Sequence, residues 1–237
     1  MYRISSFLLC LLLLGGCAER NVDDPALALC RVARKARLSG NSKLAVKFYT
    51  RVTEVRPEIL EAHLGLAEAY IDLKLLDAAE DSLKKAEGRG ANACRVIYLR
   101  GKCYLLRNKL PMAEAEFKKC KTVDCLNALG AVYDNQGEHK KAQVLYKQVI
   151  AKDPKYIDAY NNLGLSLMLE DNYNEAIFYL ENACTLPGAN EVYRGNLALA
   201  YGLSGQLAKA KDVYAQDFDG EELEKRIAHL EDLVSHR

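Results

Sequence analysis

Apolar residues recur along almost the whole chain at the three- and four-residue spacing of amphipathic helices. The clearest stretch runs from residue 157 to residue 190, where Leu163 and Leu180 lie on the apolar faces of two successive helical patterns separated by a polar turn. Gly164 and Ala176 are small residues on the same faces, as two closely packed helix backbones require. This stretch therefore predicts a hairpin of two helices that pack against each other.

The same pattern returns in a fixed register along the chain. The small residue of the second helix recurs, with steps of 34 residues and one step of 29, at Ala45, Ala79, Ala113, Ala142, Ala176 and Ala210. The small residue of the first helix keeps the same spacing at Ala33, Ala67, Gly101, Gly130, Gly164 and Ala198. Six copies in one register predict six helix hairpins that follow one another along the chain.

A 34-residue period with this arrangement resembles the tetratricopeptide repeat, or TPR. The resemblance implies an all-α fold, a right-handed superhelical solenoid of six hairpins in residues 26–218. We expect the hairpins to start near residues 26, 60, 94, 123, 157 and 191. No Gly/Pro/Ser-rich linker interrupts this span, so a single solenoid accounts for the domain organisation.

Both ends of the array carry helix-start signals. Asp24 precedes Pro25, which fits an N-cap followed by the first helical turn. Residues 219–237 predict a closing helix, because the last repeat of a solenoid would otherwise expose its apolar face. Asp219 and Glu222 have the spacing of a capping box at its start. The apolar stripe of this helix consists of Leu223, Ile227, Leu230 and Val234.

The first residues read as a targeting segment. Residues 1–16 contain Arg3 and an uncharged apolar run from 4 to 14, which is shorter than the roughly 20 residues that span a bilayer. The end of this run, Leu14-Gly15-Gly16-Cys17, resembles a bacterial lipoprotein box. That resemblance implies cleavage before Cys17, acylation of Cys17, and a lipidated tether at 17–25. The alternative is an ordinary signal peptide, or a short anchor, with an incidental cysteine.

The residue after the cysteine bears on the expected location. Ala18 stands where an aspartate would hint at retention in the inner membrane. The lipoprotein resemblance therefore implies the periplasmic face of the outer membrane of a Gram-negative bacterium. Two or more acyl chains would hold the protein there stably.

Net charge bears on the kind of partner. Lys and Arg number 33 and Asp and Glu number 32, and the loss of Arg3 with residues 1–16 leaves the mature chain formally neutral. This total argues against a nucleic-acid partner and against a polybasic membrane patch.

Candidate chemistry is sparse. His63, His139, His229 and His236 form no helical metal-binding pair, and the chain has no phosphate-binding glycine loop and no nucleophile elbow. We therefore expect no enzyme activity, no cofactor, no metal site and no small-molecule substrate. The expected ligand is another protein.

The 29-residue step marks a short repeat that is rich in cysteine. The second helix of this repeat must lose about one turn, and Cys120 and Cys125 flank the connection that follows. In an oxidising compartment they could form a disulfide if their Cα atoms lie within roughly 7 Å, and Cys94 is a competing partner. The alternative is that all three are small buried thiols.

Stacked hairpins create an extended surface lined by their first helices, and this surface is the expected binding groove. Its N-terminal half is charged in alternating sign: Arg34, Arg37, Glu61, Glu68, Asp72, Arg95, Tyr98 and Lys102. Its C-terminal half is polar and then apolar: Asn127, Asp134, Asn135, Asn161, Leu165, Met168, Leu169, Leu199 and Leu203. An apolar groove could accept an amphipathic helix or an extended segment of a partner. Alternatively, the terminal helix covers these leucines.

The fifth and sixth repeats support a narrower resemblance. The segments concerned are Asn161-Asn162-Leu163-Gly164-Leu165-Ser166-Leu167, Glu175-Ala176-Ile177, Leu186-Pro187-Gly188-Ala189 and the run from Asn196 to Gly205. They resemble the TadD family, the repeat lipoproteins of tight-adherence (Flp) pilus assembly systems. The resemblance implies a pilotin-like role in assembling or localising the outer-membrane secretin. Two alternatives are the TPR lipoprotein of type IVa pili and a general envelope scaffold for peptidoglycan enzymes.

Overall fold

The computed structural model describes residues 24–236. The predicted signal peptide at 1–16, the lipidation site Cys17 and nearly all of the tether at 17–25 lie outside the described residues. Between Asp24 and His236 the chain forms thirteen α-helices and no strand. They are α1 (Pro25–Leu38), α2 (Ser42–Val55), α3 (Leu60–Asp72), α4 (Leu76–Glu87), α5 (Ala93–Leu106), α6 (Leu110–Phe117), α7 (Val123–Asn135), α8 (His139–Lys152), α9 (Ile157–Met168), α10 (Tyr173–Thr185), α11 (Glu191–Leu203), α12 (Leu207–Tyr214) and α13 (Gly220–Ser235).

The helices pack as six hairpins, α1/α2 through α11/α12, followed by α13. Each second helix also contacts the first helix of the next hairpin, and each first helix contacts the next first helix. The first helices begin at residues 25, 60, 93, 123, 157 and 191, within one residue of the predicted starts. The all-α hairpin array is therefore confirmed, with α13 packed on α11 and α12 at its C-terminal end.

The small residues lie where the two helices of a hairpin approach most closely. A Cβ atom on Gly164 of α9 would lie 2.5 Å from Leu180 Cγ of α10, and one on Gly130 of α7 would lie 2.5 Å from Tyr146 Cε1 of α8. These distances are shorter than a van der Waals contact, so the close packing of these hairpins requires glycine. The sequence period thus reflects backbone contact.

The turn inside each hairpin has a left-handed residue at one fixed place. The residues are Gly40, Lys74, Asn108, Gly137, Asp171 and Gly205, again 34 or 29 residues apart. The next N–H donates to a carbonyl five residues back, as from Leu75 N to Tyr70 O at 2.9 Å. This bond caps the first helix of each hairpin. The three non-glycine residues have φ between 55° and 59°, which is costly for a residue with a Cβ atom.

The start of α1 is as predicted and the start of α13 is not. Asp24 Oδ1 accepts a hydrogen bond from Ala26 N at 2.9 Å, with Pro25 in the first turn. The capping box at Asp219 and Glu222 is wrong, because Asp219 makes no side-chain cap bond. Glu222 instead accepts a 2.9 Å bond from Arg226 Nε, which engages its carboxylate one helical turn further along α13.

The short repeat is closed by a disulfide. Helix α6 has 8 residues, whereas α2, α4, α8 and α10 have 12 to 14, as the 29-residue step predicts. Cys94 in the first turn of α5 is bonded to Cys120 beyond the end of α6, with Cα atoms 5.5 Å apart. Of the two partners left open for Cys120, the structure therefore has Cys94, and Cys125 is a buried free thiol on α7. The bridge joins the two ends of the α5/α6 hairpin.

Candidate functional site

The stacked first helices form one surface, which we call the inner face. It comprises the sides of α1, α3, α5, α7, α9 and α11 that carry the predicted groove residues, from Arg34 to Leu203. Gly130 and Gly164 lie against the second helices of their hairpins. The residues that follow them, Ala131 and Leu165, lie on the inner face, where they line a cleft. The hairpin packing thus determines which side of each first helix belongs to the inner face.

In the N-terminal half, the charged residues of the inner face pair with one another across neighbouring helices. Arg37 of α1 contacts Glu68 Oε2 at 2.8 Å and Asp72 Oδ2 at 3.3 Å, both on α3. Arg34 pairs with Glu61, and Arg95 of α5 pairs with Glu68 from the other side. These residues therefore form an ion-pair ladder that links α1, α3 and α5.

Tyr98 and Lys102 continue this half of the inner face on α5. The Tyr98 ring packs 6.3 Å from the Phe117 ring and lies under Lys102 Nζ at 5.6 Å from its centroid. Burial raises the pKa of the Tyr98 phenol and lowers the pKa of the Lys102 ammonium. The ammonium is therefore held over an aromatic face in a poorly solvated position.

In the C-terminal half, asparagines replace the ion pairs. Asn162 Nδ2 of α9 donates to Asn127 Oδ1 of α7 at 3.2 Å. Asn196 Nδ2 of α11 donates to Asn161 Oδ1 of α9 at 2.7 Å. Asn161 Nδ2 donates to Asn162 Oδ1 at 3.3 Å, which joins the two bonds into one asparagine ladder across three first helices.

Asp134 holds α7, α8 and α9 together and is not a free groove residue. Its carboxylate accepts hydrogen bonds from Ser166 Oγ at 2.6 Å and from Tyr146 OH at 2.8 Å, and His139 Nδ1 lies 2.9 Å away. Ser166 and Tyr146 are both almost fully buried. Burial and the neighbouring Asp134 carboxylate raise the pKa of the Tyr146 phenol, so Tyr146 remains a proton donor.

The apolar residues of the inner face divide into covered and open ones. Met168 is buried, while Leu199 and Leu203 pack partly against the C-terminal core that includes Leu230 of α13. Leu169 is 64% exposed. The terminal helix therefore covers the α11 leucines in part and leaves Leu169 open.

Two clefts open on this half of the inner face. The first, of about 220 Å³, lies between α7 and α9 and is lined by Ala131, Asp134, Asn135, Tyr146, Asn162, Leu165, Ser166 and Leu169. The second, of about 350 Å³, lies between α11 and α13 and includes Val192, Asn196, Leu199, Phe218, His229 and Leu233. Both combine apolar walls with an asparagine of the ladder. Such a surface can accept apolar side chains and hydrogen-bond a partner's backbone.

Sequence reasoning missed several residues that organise this surface. Asn162, Ser166 and Asn196 were not among the predicted groove residues, although each pairs with one that was. Tyr193 OH also donates to Asp158 Oδ1 at 2.6 Å. A usable signal was present, because these partners lie 32 to 35 residues apart, close to one repeat period.

The described residues offer little reactive chemistry. Burial raises the pKa of the thiols of Cys30, Cys125 and Cys184, and that of Cys103 to about 11, so none of the four is activated as a thiolate. Between residues 24 and 236 no group of three His, Cys, Asp or Glu side chains is placed to hold a metal ion. In the same span no helix combines the length and the apolar character needed to cross a bilayer.

Comparison with known proteins agrees with this fold. Descriptions of the tetratricopeptide repeat match residues 33–93, 130–171 and 157–190. The crystal structure of PilW, described as a widely conserved type IV pilus biogenesis factor, superposes with a TM-score of 0.68 over 86% of this chain and 98% of its own, at 19% identity. The pilF protein of Pseudomonas aeruginosa gives a TM-score of 0.62 over 81% and 87%, at 16% identity. At these identities the likeness is one of fold.

A curated relative matches by sequence. BBSome complex member BBS4 of Bos taurus is 27% identical over 176 residues, which are 72% of this chain. The chain spans only 32% of the length of that protein. The repeat matches, the thirteen helices of residues 24–236 and the structural neighbours lead to one conclusion: this chain is an all-helical tetratricopeptide-repeat solenoid.

Proposed function

We propose that the protein is an outer-membrane lipoprotein adaptor in pilus biogenesis, pilotin-like, that binds a segment of the secretin or of another assembly protein on its inner face. In this proposal acyl chains on Cys17 hold the solenoid at the periplasmic side of the membrane. The protein acts by binding, without catalysis.

The observation that carries the binding role is the C-terminal half of the inner face. There Leu165 and Leu169 border an open cleft, and the neighbouring asparagines hold α7, α9 and α11 side by side without a net charge. Neighbouring helix axes lie about 8–10 Å apart, so pockets on successive first helices suit side chains of one extended or helical segment. A partner segment could therefore bury apolar residues while its polar groups bond to amides.

The disulfide supports a location outside the cytoplasm. Cys94 and Cys120 are bonded in the structure, and disulfides form and persist in oxidising compartments such as the periplasm. This agrees with the lipoprotein box at residues 14–17. The tether would also raise the effective concentration of the inner face for partners in the same membrane.

The kind of pilus has two candidates. The resemblance of residues 161–205 to TadD favours a tight-adherence pilus. The second candidate, a type IVa pilus, has in its favour that PilW matches this chain over 98% of its own length. That match is one of fold, so the two candidates differ chiefly in which secretin depends on the protein.

The test compares secretin assembly in a deletion strain and in strains carrying single variants. Heat-resistant secretin multimers are measured in separated inner and outer membranes. In the deletion and Cys17→Ala strains, we expect multimers to vanish or to shift to the inner membrane. Leu169→Glu places a charge on the exposed edge of the cleft and should reduce assembly, whereas Val144→Glu, 56% exposed on the second helix α8, should not.

The outcomes separate the candidates. Loss of only the tight-adherence secretin supports the first candidate, and loss of only the type IVa secretin supports the second. Normal multimers of both secretins in the deletion strain would show that the pilotin-like role is wrong. Normal multimers in Leu169→Glu with loss in Cys17→Ala would leave the anchor in place and remove the cleft from the mechanism.

A further inference from the structure

The first hairpin is strongly basic although the whole chain is nearly neutral. Residues 24–56 contain eight Lys and Arg side chains against Asp24 and Glu54, a formal net charge of +6. Residues 57–237 contain 23 Lys and Arg against 28 Asp and Glu, a formal net charge of −5. The neutral total therefore hides a positive end of the array and a negative remainder.

The same hairpin has an apolar side that no other described helix covers. Val32 on α1 occupies the register position held by Leu66, Leu129, Leu163 and Leu197 in later first helices. Those leucines are 0% to 7% exposed, whereas Val32 is 50% exposed. The difference arises because later first helices pack against the second helix of the preceding hairpin, and α1 contacts only α2 and α3.

The uncovered side forms a cleft with cationic edges. Leu29 of α1 and Phe48 of α2 lie in a cleft of about 570 Å³ whose other lining residues are Lys47, Thr50, Arg51 and Glu54. Glu54 lies 3.7 Å from Arg51, so the lining carries two cations against one carboxylate. Lys35 on α1 and Lys43, one helical turn before Lys47 on α2, are exposed as well. We call this surface, made of Leu29, Val32, Lys35, Lys43, Lys47, Phe48 and Arg51, the basic end. At the opposite end of the array, α13 packs on α11 and buries Leu230 to 1% exposure.

We propose that the basic end docks on an anionic lipid bilayer. Lys and Arg side chains would contact headgroup phosphates, while Val32 and Phe48 enter the interfacial region. A mixed cationic and apolar surface binds anionic membranes through both contributions. This revises the expectation of no polybasic membrane patch, which rested on total charge alone.

The position of the hairpin in the chain favours a membrane over other anionic partners. Pro25 lies eight residues after Cys17, and an extended chain reaches at most about 3.5 Å per residue, so the hairpin stays within roughly 28 Å of that cysteine. Only this closeness rests on the proposed lipid anchor; the charge and the uncovered cleft do not. Docking would hold the N-terminal end of the array on the membrane and leave the C-terminal half of the inner face for the partner.

The chain has no tryptophan, so a single introduced one reports its own surroundings. Phe48→Trp labels the basic end, and Phe178→Trp, at a 57% exposed site on α10, is the matched control. The full-length protein is reconstituted into vesicles of phosphatidylethanolamine and phosphatidylglycerol that contain brominated lipid. We expect emission of the Phe48→Trp protein to be quenched by roughly twofold or more, and that of the control to be unchanged.

A charge test separates docking from mere nearness to an anchor. In the Phe48→Trp protein, Lys43→Glu, Lys47→Glu and Arg51→Glu together should abolish quenching. Lys209→Glu with Lys211→Glu on α12 should not. Exchanging phosphatidylglycerol for phosphatidylcholine should also abolish quenching, because it removes the negative charge of the bilayer. A raised salt concentration should do the same, because it screens the attraction between exposed charges.

Each contrary result has a definite meaning. Unquenched Phe48→Trp, or quenching that the three Glu substitutions leave intact, overturns docking through the basic end. Unquenched Phe48→Trp with a concentration-dependent dimer in sedimentation overturns it in favour of a second copy of the chain. Intact mass reports acylation separately: an unacylated protein that still shows quenching overturns the anchor and supports docking.

Discussion

The two halves of the inner face join neighbouring first helices in different ways. Between α1, α3 and α5 the contacts are ion pairs, among them Arg37 with Glu68 and with Asp72. Between α7, α9 and α11 the contacts are hydrogen bonds from neutral donors. They run between amides, such as Asn196 with Asn161, and from the hydroxyls of Ser166 and Tyr193 to carboxylates. The helices stack in the same manner in both halves, but the chemistry of the surface they present differs.

The difference indicates which half is available to a partner. In the N-terminal half each of Arg34, Arg37 and Arg95 is already paired with a carboxylate of α3, so a charged ligand would have to replace an existing contact. In the C-terminal half the amides bond to one another, and Leu165 and Leu169 lie beside an open cleft. Apolar burial there needs no broken ion pair, and it does not weaken with added salt.

The largest expected effect comes from Asp134, a carboxylate that joins α7, α8 and α9 in the C-terminal half. Asp134→Ala leaves the buried hydroxyls of Ser166 and Tyr146 without their carboxylate partner, and each unsatisfied buried group costs about 1–3 kcal/mol. We expect a loss of about 3 kcal/mol in the free energy of unfolding, measured by urea denaturation with circular dichroism. Asn135→Ala, at the exposed neighbouring residue, should change it by less than about 0.5 kcal/mol. Equal effects of the two substitutions would contradict the anchoring role.

The asparagine ladder should be weaker than this anchor and insensitive to salt. Asn161→Ala removes the bond from Asn196 and the bond to Asn162, at a cost of about 1–2 kcal/mol. The loss should be the same at low and high salt, because no net charge is involved. Asn174→Ala, an exposed asparagine on α10, serves as the control and should have almost no effect. A salt-dependent loss in Asn161→Ala would remove the contrast between the halves.

Alkaline pH should weaken the C-terminal half through Tyr146. Burial and Asp134 raise the pKa of Tyr146 in the folded chain, while an unfolded tyrosine ionises near a pKa of about 10. The contribution of Tyr146 is therefore complete below about pH 10 and falls by about 1.4 kcal/mol per pH unit above it. Between about pH 10 and 11, the unfolding free energy of Tyr146→Phe should fall less steeply with rising pH than that of the unsubstituted protein. An unchanged slope would show that Tyr146 does not control this loss.

The smallest effect is expected in the ion-pair ladder. Glu68 is paired with Arg37 and Arg95, and exposed or partly exposed ion pairs contribute about 0–1 kcal/mol each. Glu68→Gln should cost about 1 kcal/mol at low salt and much less near 1 M salt. Glu54→Gln, which removes an exposed partner of Arg51, is the control and should cost less than about 0.5 kcal/mol. A loss that persists at high salt would mean that shape, and not charge, makes Glu68 important.

Much of the fold followed from the sequence, because each part of it depends on neighbours in the chain. Gly130 and Gly164 carry the 34-residue period, and the structure shows why: their Cα atoms leave room for Tyr146 and Leu180 of the paired helices. The shortened α6 followed from the single 29-residue step. The short α12, also 8 residues, was not anticipated, since no repeat follows it to reveal a changed step.

The candidate site was located more coarsely than the fold. The predicted charged residues do lie on adjacent first helices, but Arg37 and Glu68 bind each other, which their spacing alone did not indicate. Asp134, assigned to the groove, lines the cleft between α7 and α9 and also holds three helices together, which the pattern did not indicate. Binding by the predicted groove residues stays a prediction.

The sequence by itself determined the helices, their order and their pairing into hairpins, because a repeat contacts only its neighbours and repeats the same local pattern. Only the tertiary structure decided which polar groups meet across repeats and which thiol pairs with Cys120. Arg100 is the clearest case, because it stands where the other first helices carry valine or leucine. Glu80, Glu87 and Glu116 surround its guanidinium at 3.1, 2.8 and 3.5 Å. Such contacts depend on how far adjacent helices are shifted and rotated against each other, and a 34-residue period does not specify that shift.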